Sequence, residues 1–270
     1  MQLQSLGYRT DLMFRRFEGE VVEREHYLVV RTPRNPGYRW GNFLIFDRPP
    51  QAGDLERWKA LFAREIGTPP AYTHFAFGWD GSEPGEVGPF LEAGFRLEQS
   101  AVLSARRVVH PPKLNTACAV RPLLSDADWE ERVELALAVN AAEPPEKREG
   151  EGYRDFVLRK VEEYRRMVAA GLGQWFGAYL EGRLAATLGL FVWEGLGRFQ
   201  TVETHPAFRR RGLCGTLVYH TARIGLREMG AQTLVMVADP GYVAIQIYKS
   251  VGFRVREPMW GLEWHPKEGG

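Results

Sequence analysis

A chain of 270 residues, 44% apolar and 26% charged, has the composition of an ordinary globular protein and the length of one or two domains. A formal net charge of +1 argues against bulk attraction to nucleic acid or to an anionic membrane. No apolar run approaches a membrane span, and Met1-Gln2-Leu3-Gln4-Ser5-Leu6 lacks the basic-then-apolar pattern of a signal peptide. With only two cysteines, Cys118 and Cys214, the expected setting is a reducing cytoplasm.

Residues 1–20 carry no clear periodicity. Glu20–Thr32 reads as a strand, Pro33-Arg34-Asn35-Pro36-Gly37 as a turn and Tyr38–Asp47 as a second strand. Asp54 is a good N-cap for a helix over Leu55–Ile66. Ala71–Trp79 is an expected strand, Phe90–Ala93 a short helix and Phe95–Ala105 another strand. Arg106–Thr116, with Pro111-Pro112, reads as a linker. Ala117–Leu123 is then a strand, and Ser125 or Asp126 caps a helix that runs through Asn140. A polar loop, Ala141–Gly152, leads to a helix over Tyr153–Ala170. Strands at Gln174–Leu180, Leu184–Trp193 and Arg198–Thr204 are parted by turns short enough for hairpins. A helix reaching about Met229 follows, then a strand at Gln232–Ala238, a short helix at Val243–Ser250 and a last strand at Phe253–Trp264. The expected class is α/β with a mixed sheet.

The chemistry concentrates where strand 198–204 gives way to a helix through Arg209-Arg210-Arg211-Gly212-Leu213-Cys214-Gly215-Thr216. The first N–H groups of a helix have no internal partner and carry partial positive charge, so such a turn is a ready phosphate cradle. Glycines admit a diphosphate close to the backbone, and the arginines attract it from further away. The spacing is neither a P-loop nor a dinucleotide fingerprint. His and Cys show no zinc spacing, so no metal is expected.

This turn resembles motif A of the GNAT acetyltransferase superfamily, Gln/Arg-x-x-Gly-x-Gly/Ala, with Cys214 where the family has Gly or Ala. Ile247-Tyr248-Lys249-Ser250-Val251-Gly252-Phe253 matches the family's Tyr-x-x-x-Gly-Phe signature, and the element order of 117–264 is the GNAT order. The resemblance implies acetyl transfer from acetyl-CoA to an amine by direct attack. It implies that backbone groups of Val202 and Thr204 hold the pantetheine arm in the manner of an added strand. Arg209, Arg210, Arg211, Gly212, Leu213, Cys214, Gly215 and Thr216 would hold the diphosphate. Tyr248 would be the acid, since a phenol near pKa ~10 can protonate a thiolate whose thiol is near ~8.5. Glu203 is the candidate base, with His205 and Glu194 as alternatives. Strand alternation turns Glu203 away from the face of Val202 and Thr204 unless a bulge intervenes, and the family carries one in this strand. Gly241 stands where the family often has Asn seven residues before the tyrosine.

The chain also repeats itself. Ala93-Gly94-Phe95-Arg96 parallels Val251-Gly252-Phe253-Arg254, an offset of 158 residues. Applied without gaps, that offset lays strand 42–47 on 200–205, helix 54–66 on 212–224 and strand 73–79 on 231–237. Arg209 then becomes Gln51, Gly212 becomes Asp54, Cys214 becomes Glu56 and Tyr248 becomes Phe90. The expectation is two GNAT-like acyl-CoA N-acyltransferase domains in tandem. Residues 1–112 form a shortened copy without the chemistry, and 113–270 the working one. The first copy would shape the substrate cleft, pair with the second domain, or serve packing alone. The competing functional readings are a non-catalytic acyl-CoA-binding or sensor protein and an interaction protein. The acceptor is an amine on a small molecule or a peptide. Glu143, Glu146, Lys147, Arg148, Glu149 and Glu151 in the 141–152 loop suit a polar acceptor and equally suit a solvated loop. Oligomeric state is not legible.

Overall fold

The computed structural model describes residues 1–145, 148–150 and 152–266. Glu146, Lys147 and Glu151 of the acceptor-loop expectation lie outside the described residues. The chain forms two compact units that do not follow chain order. One comprises Met1–Val102, Val237–Gly241 and the chain from Val255 on; the other comprises Leu103–Met236 and Tyr242–Arg254.

In the first unit the patternless N-terminus is a helix, α1 (Leu6–Glu18), capped by the Ser5 hydroxyl. The strand expected over 20–32 is a hairpin, β1 (Glu20–Glu23) and β2 (Tyr27–Arg31), closed by the Arg24 N–H donating to Tyr27 O. The second expected strand begins instead with a helical turn, Arg39–Gly41, and only β3 (Phe43–Phe46) is extended. Then come α2 (Asp54–Glu65), β4 (Phe75–Trp79), a short α3 (Gly88–Glu92) and β5 (Arg96–Ala105). The sheet of this unit runs β1-β2-β3-β4-β11-β5, where β11 (Arg254–Trp264) is the last strand of the chain. Trp260 to Trp264 pair antiparallel with Trp79 to Phe75. The core is aromatic. Trp58 of α2 stacks on Phe46 at 3.8 Å between ring centres, and Phe62, Phe77, Phe90 and Phe95 complete the layer.

Glu65, at the end of α2, is buried and accepts hydrogen bonds from Arg24, Tyr27, Arg31 and Arg64. The Arg24 guanidinium, opposed by burial and reinforced by Tyr27 and Arg64, holds the Glu65 carboxyl down at about 2. A depressed carboxyl stabilises the fold above its unfolded value and ceases to as pH falls through its folded value. Glu65→Gln is therefore expected to cost on the order of 1–3 kcal/mol at neutral pH. In thermal melts the gap to wild type should close between about pH 4.5 and pH 2; a gap that does not vary with pH would refute the ion-pair account.

The second unit begins with an extended segment and β6 (Ala119–Pro122), followed by α4 (Asp126–Ala141) and α5 (Tyr153–Ala169). Ser125 and Asp128 form a capping box at the start of α4. Asp128 is also gripped by both terminal nitrogens of Arg121 (2.6 and 3.1 Å), which with further bonds from Ser125, Leu124 and Tyr179 holds its carboxyl far below the ordinary range. Then follow β7 (Gly173–Leu180), β8 (Arg183–Trp193), β9 (Leu196–Thr204), α6 (Leu213–Arg227), β10 (Thr233–Ala238) and α7 (Ala244–Ser250). The strand order in this unit is β10-β9-β8-β7-β6, with β9 and β10 parallel and the rest antiparallel.

Candidate active site

Two backbone events create the site. Opposite β8, the register of β9 slips: Thr187 faces Glu203, but Gly189 faces Gln200, so β9 carries one extra residue. Thr201, at φ +47, sits in that bulge. On its other edge β9 pairs with β10 only from Leu196 to Arg198, against Thr233 to Val235. Among the described residues the pairing stops there, well before β9 ends at Thr204. The bulge re-aims the end of β9, and a cavity of about 560 Å³ opens beside it.

Val202, Glu203 and Thr204 line the cavity together with Arg209, Arg210, Gly212, Leu213, Cys214 and Gly215 of the turn and α6, and with Tyr248 of α7. Arg211 and Thr216 are the two expected cofactor residues outside its lining. Arg211 lies over the Phe208 ring (5.4 Å) and 3.9 Å from Glu181. The Thr216 hydroxyl donates to Gly212 O (2.9 Å) and accepts from the Asn115 N–H (2.8 Å), so it braces the turn from inside. Arg209 is partly engaged already, with Nε donating to Thr204 O (3.4 Å) and Nη2 4.0 Å from Glu143. That contact ties one acidic residue of the 141–152 loop to the turn. Gly212 holds φ +80 as the N-cap of α6, and a Cβ there would come 2.9 Å from Lys113 O.

That Lys113 belongs to the segment expected to be a linker. Pro111, Pro112 and Lys113 form one wall of the cavity, Lys113 Nζ donates to Arg210 O (2.9 Å), and Asn115 Nδ2 donates to Arg211 O (2.9 Å). Two prolines give a stiff extended strap, and nothing in their pattern distinguishes a strap from a linker.

Tyr248 is 5% exposed, and no hydrogen bond holds its hydroxyl among the described residues. Burial, then Cys214 and Tyr242, push its phenol far above the ordinary value, so it stays protonated. Burial pushes the Cys214 thiol up to about 12, which makes it a poor nucleophile. Glu203 lies against Arg132 of α4, with Nη2 to Oε2 at 3.9 Å. Burial raises its carboxyl above the ordinary value, and Arg132 opposes that rise. His205 accepts from the Ala207 N–H through Nδ1 (3.2 Å) and is held low by burial, Arg183 and Arg209. Glu194 sits in the turn at the other end of β9, about 25 Å of strand from Thr204.

The first unit shows what the same framework looks like when closed. β3 and β4 pair to the last residue of each, Phe46 against Trp79. The helix α2 keeps its N-cap glycine: Gly53 at φ +84 takes the place of Gly212 at φ +80. The gapless offset therefore misplaces the turn by one residue, and Gly212 does not become Asp54. The offset of 158 holds at the other motif, where the Phe95 N–H bonds Phe90 O just as the Phe253 N–H bonds Tyr248 O. Asp54 is the first helical residue. It accepts from Arg48 (2.7 Å), the Gln51 N–H (2.9 Å) and Arg57 (3.3 Å). Burial alone would raise its carboxyl; these partners outweigh burial and hold it below its ordinary value. The turn in the first unit thus carries its own anion.

Residues 176–264 match the family model described as FR47-like protein. A comparison with curated proteins returns no match. Among solved structures, a functionally unknown conserved protein from Staphylococcus epidermidis superposes with a TM-score of 0.68 at 13% identity, covering 92% of this chain and 94% of that one. A GCN5-related N-acetyltransferase from Kribbella flavida superposes with a TM-score of 0.65 at 14% identity, covering 99% and 97%. A tandem GNAT protein from the clavulanic acid biosynthesis pathway gives 0.55 at 13% identity, covering 90% and 83%. At these identities the likeness speaks for architecture. With its bulged β9, its glycine-capped α6 and an FR47-like segment that contains both, the chain has the mixed α/β fold of the GCN5-related (GNAT) N-acetyltransferases.

Proposed function

We propose that the second unit is an N-acetyltransferase site that moves the acetyl group of acetyl-CoA to an amine of a small molecule or peptide. The observation that carries this reading is the parting of β9 from β10 directly in front of the Gly212 helix N-terminus. An extended arm can lie along Val202–Thr204 while a diphosphate meets the first N–H groups of α6. Tyr242 and Val243, 53% and 68% exposed, offer apolar surface at the same cavity for a ligand to cover.

The thioester supplies an acyl group activated toward amines. Glu203 takes a proton from the acceptor nitrogen, which bonds to the acyl carbon as the carbon–sulfur bond breaks. Tyr248 gives its proton to the departing thiolate. A carboxyl raised by burial is a stronger base than an ordinary one, and a phenol that stays protonated keeps a proton to give. The first copy, ending near residue 112 in the repeat, serves as scaffold on this reading, because its turn is already neutralised by Asp54. Unpaired thiols at Cys118 and Cys214 suit a reducing cytoplasm. No helix among the described residues is long and apolar enough to cross a membrane.

Calorimetric titration of the full chain with acetyl-CoA, followed by a screen of primary amines, tests the reading. Lack of acetyl-CoA binding would overturn it. Lys113→Glu should weaken acetyl-CoA binding about tenfold at low salt, and the deficit should shrink as salt rises. An unchanged Kd would remove the strap from the cofactor site.

A further inference from the structure

Among the described residues the Glu203 carboxylate has one ionic partner, and it comes from a different element. Arg132 projects from α4, is 3% exposed, and places Nη2 3.9 Å from Glu203 Oε2. Its guanidinium carbon lies 5.0 Å over the centre of the Trp175 ring. That ring is itself fixed, because Trp175 Nε1 donates to Thr187 Oγ1 (2.6 Å) and the same hydroxyl donates to Phe176 O (3.1 Å). Thr187 is the residue directly across β8 from Glu203. A rigid stack on β7 and β8 therefore presents a buried cation to a carboxylate that lines the cavity.

The distance is informative. Arg132 Nε and Glu203 Oε2 are both enclosed, and neither has a hydrogen-bond partner among the described residues. At 3.9 Å the pair attracts without forming the forked hydrogen bonds of a tight arginine–carboxylate pair. A forked pair would hold the carboxylate strongly ionised and occupy the lone pairs that must receive a proton. An unpartnered buried carboxylate would instead be neutral and could accept none. Among the described residues, Arg132 is the charged group that faces Glu203. Tyr153 of α5 is the other titratable one, and its phenol is raised by burial and by Glu203.

We infer that Arg132 is a positioning residue whose charge offsets the burial of the Glu203 carboxylate at the cavity wall without hydrogen-bonding it, so that the carboxylate can take the acceptor's proton. This rests on the reading of Glu203 as the base. The proton leaves the amine nitrogen for a carboxylate oxygen, and solvent removes it after the carbon–sulfur bond has broken.

The test uses the full-length chain with carbon-13 in its glutamate carboxyls. The Glu203 signal, assigned by its loss in Glu203→Gln, is titrated in wild type, Arg132→Gln, Arg132→Met and Arg132→Lys. Arg132→Met keeps the stem against Trp175 and guards against a variant that fails to fold. Removing the cation should move the Glu203 midpoint up by about one pH unit or more. Arg132→Lys should recover most of that shift. The acidic limb of transfer to an amine found in the screen should move in step, with the plateau at high pH within several-fold of wild type. An unmoved midpoint in a folded neutral variant would show that Arg132 only packs, and would overturn the inference. Undiminished transfer by Glu203→Gln would overturn the base reading itself, whatever the titration shows.

Discussion

Gly212→Asp is expected to abolish measurable acetyl-CoA binding, a loss of at least a hundredfold in Kd by calorimetry. Three effects add at one atom's position. A non-glycine residue at φ +80 costs about 1–2 kcal/mol. The new Cβ would stand 2.9 Å from Lys113 O, a backbone atom that cannot rotate away, so the strap must shift. The new carboxylate would also face a diphosphate at the helix end meant to attract it. A factor of a hundred requires only about 2.7 kcal/mol, which these terms exceed together. Gly53→Asp is the matched control. It has the same backbone angle, but no atom lies within 4 Å of its Cβ position, so it should leave acetyl-CoA affinity unchanged. Equal affinity of Gly212→Asp and wild type would place the diphosphate elsewhere and remove the main support for the proposed site.

Tyr248→Phe is expected to lower turnover about a hundredfold while changing acetyl-CoA affinity by no more than two- to threefold. The substitution keeps the ring that fills the wall beside Cys214 and removes only the hydroxyl that would supply the proton. It also reproduces Phe90, its counterpart in the closed first copy. The sign of the pH dependence follows from burial. A phenol raised above its ordinary value remains protonated through the usual assay range, so Tyr248 should impose no loss of activity below about pH 10. Any loss on the alkaline side at lower pH must come from another group. Full turnover in Tyr248→Phe would reassign the acid. Tight binding by wild type with no transfer to any amine would favour an acyl-CoA-binding protein over an enzyme.

The helices and strands of the second unit follow from the residues because their periods are strong. Ser125 with Asp128 and Gly212 with Leu213 announce two helix starts in plain capping chemistry. The errors lie where local pattern competes with packing. Helix α1 escapes notice because Tyr8, Leu12, Met13, Phe14 and Arg15 are all buried, which blurs a one-sided stripe. Arg39–Gly41 reads as strand because its aromatic and flanking residues favour extension, yet Thr32 and Asn42 bond the backbone around it. The one-residue slip in the repeat arises because identity at Gly94 and Gly252 says nothing about a gap before α2, whereas the left-handed N-cap glycines do.

The sequence by itself determined the glycine-capped turn before α6, the helix that carries Tyr248 and the mixed α/β class, because glycine angles, helix ends and residue types act over a few neighbouring residues. Three things waited for the tertiary structure. One is the parting of β9 and β10, which depends on a bulge set by register against β8. Another is the strap at Lys113, whose prolines specify stiffness and no destination. The last is the approach of Arg132 to Glu203, 71 residues apart in the chain, since a buried cation is stable only where folding brings it a counter-charge.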